Sequence, residues 1–164
     1  MTRIVVLSAI IVGALVTVAA IILALTSRHL IVLPDVQYQL EGTGKGSANC
    51  ITGTITKVVD GDTLDIDNTK IRLALVNTPE IDEKGYEESR QFTSKLCPVG
   101  FKAIADEDDG QTAGRYGRMI AKVTCVGGKV LNEELLKAHM AKILTEFCDR
   151  SEFRNERWAL NDGC

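Results

Sequence analysis

Val59-Asp60-Gly61-Asp62-Thr63, followed by Ile71-Arg72-Leu73-Ala74-Leu75-Val76-Asn77-Thr78-Pro79-Glu80, is the stretch that decides the fold of this chain. Asp60-Gly61-Asp62 reads as a turn, because aspartate bonds the nearby backbone and glycine tolerates tight geometry. Before it, Ile51 to Val59 alternates and is rich in Thr, Val and Ile, which predicts a strand. After it, Thr63–Ile66 predicts a second strand, Asp67-Asn68 a hairpin turn, and Lys70–Val76 a third strand. Pro79 stops the third from continuing as a central ladder member. Acidic groups thus stand at both ends of an apolar strand that carries Arg72. Carboxylates and a guanidinium converging at a strand rim can hold a hard cation and a phosphate together. Tyr116-Gly117-Arg118 offers a second guanidinium. Taken singly, each feature has an ordinary structural use: a turn, an outer-face arginine, an ion-pair partner, a solvated carboxylate. Their joint occurrence points to phosphodiester chemistry.

Further along, Glu87–Leu96 predicts a helix stopped by Cys97-Pro98, and Phe101–Ala105 a fourth strand. Asp106-Glu107-Asp108-Asp109-Gly110 resembles a calcium loop only superficially, because its glycine is one place early, and it reads as a solvated loop reaching Gly117. Arg118–Val126 predicts a fifth strand. Asn132 is placed to cap a helix to about Ala138. Ser151 opens a last helix ending near Gly163, with Phe153 and Trp158 as core residues. A five-strand meander with helices inserted and appended predicts an α+β domain: a small closed β-barrel of the oligonucleotide-binding (OB) type, capped by helices.

The rest of the 164-residue chain frames that domain. Residues 4–25 carry no charge and no proline, and as a helix they would be about 33 Å long, enough to cross a bilayer core. Residues 4–26 are therefore expected to be a transmembrane anchor or uncleaved signal, with a cleaved signal peptide as the alternative. Residues 27–49, with Glu41-Gly42-Thr43-Gly44-Lys45-Gly46-Ser47, read as a flexible linker, and 50–164 as the folded domain. Five cysteines follow the apolar run, none in a Cys-x-x-Cys pair, which favours disulfides in an oxidising exterior over a zinc ribbon. Buried free thiols remain the alternative. Residues 50–164 hold 16 Lys and Arg against 20 Asp and Glu, a net charge of −4. Such a domain is not built to grip long nucleic acid through many phosphates; it can bind phosphate locally, with help from a cation. His29 and His139 alone are too few for a histidine metal site or a Ser-His-Asp triad.

From Ile51 to about Ala159 the chain resembles the staphylococcal-nuclease (thermonuclease) family. The resemblance is carried by Val59-Asp60-Gly61-Asp62-Thr63, Arg72-Leu73, Thr78-Pro79-Glu80 and Tyr116-Gly117-Arg118, then Val130-Leu131-Asn132-Glu133 with Leu136 and Ala141-Lys142. It implies calcium-dependent hydrolysis of DNA or RNA, single strands favoured. By the same resemblance Asp62 is a calcium ligand, Thr78 gives its backbone carbonyl, and Asp60 orients water at the metal. Glu80 is the general base, and Arg72 and Arg118 clamp the phosphate. Arg115 and Tyr116 match a basic-aromatic pair near the nucleotide's terminal phosphate. The family's topology also implies the pairs Cys97–Cys125 and Cys148–Cys164, with Cys50 left out of both.

Three departures stand out. Asn77 replaces an aspartate that binds calcium, so one ligand charge is lost while a carbonyl oxygen remains. The loop between Glu80 and Phe92 is shortened. Thr145 and Phe147 stand where two tyrosines flank the base. The leading expectation is a single-pass membrane protein with an extracellular nuclease domain, or a secreted one if the N-terminal segment is cleaved. A catalytically weak binding module for oligonucleotides or a protein partner is the alternative, and a cell-surface structural domain the third reading. No specific protein partner is legible.

Overall fold

A computed structural model of the chain describes residues 44, 46–112 and 114–164. The expected anchor (4–26) and most of the linker lie outside the described residues. Among those described, no helix is long and apolar enough to cross a membrane.

Five strands close into a barrel in the order β1-β2-β3-β6-β5. β1 (Cys50–Val58) is the strand that turns the corner. Its first half, Cys50–Thr54, pairs antiparallel with β5 (Lys102–Glu107) and its second half with β2 (Thr63–Ile66). The register shifts between Ile55 and Lys57, a bulge of the kind that bends a strand and lets a sheet curl. β2 hairpins onto β3 (Thr69–Leu73), and β5 onto β6 (Met119–Thr124).

The five-strand meander expected from the sequence therefore stops at β3. β5 returns to β1, and β3 meets β6 in parallel, Ile71 beside Met119 and Leu73 beside Ala121. A closed ring of five strands cannot alternate direction all the way round, so one seam must be parallel. That seam is weaker per residue, and a buried side chain reinforces it. Asn132 accepts the Val123 N–H through Oδ1 at 3.0 Å and donates Nδ2 to the Ala74 and Ala121 carbonyls at 2.9 and 3.4 Å. Asn132 was expected as a helix cap. It sits instead inside the first turn of α2 (Leu131–Lys137), fully buried, serving the barrel rather than its own helix.

Inside the barrel lie Ile55, Leu64, Ile66, Ile71, Leu73 and Val123, with Leu131, Leu135 and Phe153 sealing it from the helical side. Each such side chain contributes about 1.5–3 kcal/mol by leaving water. α1 (Tyr86–Leu96) follows the site loop, and β4 (Val76–Asn77) bridges to β7 (Lys142–Ile143). The third strand expected to reach Val76 breaks at Leu75, whose φ is +62°, and this re-aims the chain toward β7. The last helix is in two pieces: a 3-10 turn at Glu152–Asn155, capped by Ser151, and α3 (Arg157–Asp162). Phe153 and Trp158 are buried, as core residues should be.

The acidic run is not the solvated loop expected of it. Asp106, Glu107 and Asp108 are buried because each has partners. Lys122 pairs with Asp106, Glu107 accepts from Asn49, and Asp108 accepts the backbone N–H groups of Gly110 and Glu152. Asp109 accepts the Ser47 and Ala48 N–H groups, fastening the end of the linker to the domain. Disulfides join Cys97 to Cys125, from the end of α1 to the end of β6, and Cys148 to Cys164. Their Cα separations of 5.3 and 5.4 Å are ordinary for such bonds. Cys50 takes part in neither.

Candidate active site

The turn at Asp60–Asp62 is held from inside by α1. Thr93 donates its hydroxyl to the Gly61 carbonyl at 2.6 Å, and both groups are buried. A Cβ at Gly61 would sit 2.7 Å from the side-chain oxygens of Ser89 and Thr78, so no other residue allows the helix this close. Asp60 folds back to accept the Asp62 N–H at 3.1 Å. The turn thereby presents the Asp62 side chain inward, where it is 3% exposed.

Both Asp62 oxygens are engaged. Oδ2 accepts the Thr78 N–H and hydroxyl at 2.6 and 2.9 Å. Oδ1 pairs with Arg72 Nη1 at 2.9 Å. Arg72 is brought there by register: it lies opposite Thr63, the residue after Asp62. Its guanidinium also donates to the Val76 carbonyl at 2.6 Å and to Asn77 Oδ1 at 2.8 Å. Asp62, Arg72, Asn77 and Thr78 form one network. Burial outweighs the opposing pull of Arg72 and the Thr78 bonds and leaves the Asp62 carboxyl pushed up to about 6. Burial likewise lowers Arg72 from its usual value, opposed by Asp62 and reinforced by Arg118; Asp60 and Glu80 also raise it.

Glu80 stands just outside this network, exposed. Its backbone N–H bonds Glu83 Oε2 at 2.8 Å, which shapes the turn that carries it. Arg118 and Arg115 line the same cavity as Arg72. Arg118 Nε donates to the Arg115 carbonyl at 3.1 Å. Tyr116 is 91% exposed at φ +62°, with Arg118 Cζ 5.8 Å from its ring centre; it does not line that cavity. Arg150 does line it, with Cζ 5.0 Å from the ring centre of Phe147. Arg150 had no place in the sequence reading. Its only local signal is Phe147-x-x-Arg150, a spacing that brings an aromatic and a guanidinium to one turn.

Among the described residues, no three carboxylate, histidine or cysteine side chains gather as a metal cluster. A cation here would depend on Asp62 and on neutral oxygens. The Arg72 fork shows that positive charge fits: a single guanidinium spans Asp62 Oδ1 and Asn77 Oδ1, so both oxygens face one cationic position. The donors are all oxygen, the chemistry a hard cation prefers. Asp62, Asn77 and the Thr78 carbonyl thus suit such an ion, at one negative charge.

Residues 70–160, more than half of the chain, match the family model described as Staphylococcal nuclease homologue. The chain belongs to the staphylococcal nuclease family. It is also 28% identical over 127 residues to a thermonuclease of Staphylococcus hyicus, covering 68% of this chain and 73% of that protein. The closed barrel with its helices fits the family's OB-type fold. In general terms, this family membership makes the domain a nuclease-type hydrolase. The matched region takes in Arg72, Asn77, Thr78, Glu80 and Arg118, while Asp60 and Asp62 precede it.

Proposed function

We propose that this domain is a calcium-dependent nuclease that hydrolyses phosphodiester bonds of DNA or RNA, single strands favoured. The observation that carries the reading is the Asp62–Arg72–Asn77–Thr78 network, whose Arg72 lines a cavity together with three further arginines. Asp62, Asn77 and the Thr78 carbonyl would hold the ion, with Asp60 beside them. Calcium, when bound, supplies a hard Lewis acid next to the phosphate. Arg72 and Arg118 face the nonbridging oxygens, where charge gathers as the phosphorus is attacked. Glu80 takes the proton of the attacking water. The bond from phosphorus to the leaving oxygen breaks, and that oxygen is protonated from solvent. Arg115 and Tyr116 contact the strand beyond the reacting phosphate.

Residues 4–26 would anchor the protein in the cell membrane with the domain outside, or be removed from a secreted form. Two disulfides support an oxidising compartment. Asn77 supports a second reading, a binding module with little turnover, because its amide adds no charge to the ligand set. Incubating the purified 164-residue chain with single-stranded DNA, in calcium or in chelator, separates the two. The expected outcome is cleavage in calcium alone, lowered at least about 100-fold by Arg118→Ala or by Glu80→Gln. Binding without cleavage in both conditions would select the module.

A further inference from the structure

The cavity beside β3 carries more positive charge than one phosphodiester can use. It has a volume of about 510 Å³, the size of a ligand site. Four of the seven arginines among the described residues line it: Arg72, Arg115, Arg118 and Arg150. No lysine, aspartate or glutamate does. Arg72 is paired with Asp62, but the other three have no carboxylate partner among the described residues. A phosphodiester is a monoanion with two nonbridging oxygens, and Arg72 with Arg118 already fills that role in the proposed reaction. Further guanidiniums around the same anion would meet each other's repulsion, which Arg118 already exerts on Arg72. A second anionic group resolves the excess, and a nucleic-acid strand supplies one per nucleotide.

Arg150 is held where it could meet that group. Its N–H bonds the Phe147 carbonyl at 3.1 Å, its guanidinium lies over the Phe147 ring, and Phe147 packs on the core. Cys148, between them, is bonded to Cys164. On the other side Gly110 presses on the Arg150 backbone so closely that a Cβ there would collide with the Arg150 carbonyl oxygen. Asp108 fixes the next turn by accepting the Glu152 N–H at 3.1 Å. The backbone at Arg150 is thus fixed from two sides while its side chain stays exposed, the arrangement of a preorganised ligand contact.

We propose that Arg150 is a substrate-binding residue: its guanidinium, presented over Phe147, holds a phosphate of the strand other than the one under attack. This rests on the nuclease reading above. The test is fluorescence anisotropy with a labelled twelve-nucleotide oligo-dT in calcium, using the full chain in uncharged detergent with Glu80→Gln to prevent turnover. Between 50 and 200 mM salt, adding Arg150→Ala should flatten the slope of log affinity against log salt by about 0.7, one phosphate contact to a single strand. Arg150→Lys should restore that slope, because the charge returns without the fork. Arg157→Ala, at an arginine outside the cavity, should leave it unchanged. With Glu80 intact, Arg150→Ala should raise KM for the oligonucleotide several-fold with kcat nearly constant. It should leave kcat/KM for bis(p-nitrophenyl) phosphate, which has one phosphate, unaltered. An unchanged salt slope, or equal losses on both substrates, overturns the assignment of Arg150 alone. Failure of the Glu80→Gln parent to bind the oligonucleotide overturns the nuclease reading with it.

Discussion

At the scale of single residues, Asn77 sets how strongly the site can draw a cation. Its Oδ1 accepts from Arg72 at 2.8 Å, and its Nδ2 lies 3.3 Å from the Thr78 carbonyl it can donate to. Both contacts compete with an ion for the same oxygens. Asn77→Asp restores a full charge and removes the amide donor. Calcium affinity, read by calorimetry without substrate, should rise about tenfold, since ligand charge is a main control on calcium binding. No change would take residue 77 out of the ligand set. Most of the site's membership could be read from the sequence, because Asp62, Arg72, Asn77, Thr78 and Glu80 lie within 19 residues on one hairpin and its exit. Arg150 could not. Gly110 approaches it only after the chain has folded, and an arginine three places after a phenylalanine looks like any solvated charge.

At the scale of elements, the parallel seam is the feature that alternation and turn signals do not reveal. Hairpins announce themselves locally, through Asp67-Asn68 and the strands on either side. The β3–β6 pairing joins Arg72 to Ile120, far apart in the sequence, and has no local signature. The acidic run at 106–109 was misleading for a related reason. Its partners, Lys122, Asn49, Ser47 and the Glu152 backbone, come from distant segments. Asn132 is where the seam can be tested. Asn132→Leu keeps the branched outline of the side chain, with a larger volume, but leaves the Val123 N–H buried without its acceptor. The expected cost is about 2–3 kcal/mol, read from urea unfolding with the disulfides intact. A loss below about 0.5 kcal/mol would mean that water or backbone relaxation replaces the side chain.

At the scale of the whole domain, stability is divided between a modest core and two covalent links. The bonds close loops with sequence separations of 28 and 16 residues. In the chain-entropy account each contributes about 3 kcal/mol by restricting the unfolded chain. A double variant, Cys148→Ser with Cys164→Ser, should lower the unfolding free energy by roughly that amount in denaturant titration. A drop below about 1 kcal/mol would place the stabilisation elsewhere. The gathering of arginines also has a kinetic meaning. The net charge of −4 over residues 50–164 repels a polyanion at a distance, while the arginine-lined cavity attracts it at contact. Screening acts over about 10 Å at 0.1 M salt, so the far field fades before the near field does. The encounter rate with a strand should therefore pass through a maximum as salt rises, while affinity falls throughout. A uniformly basic nucleic-acid binder captures its strand fastest in dilute buffer; this domain would be slowest there.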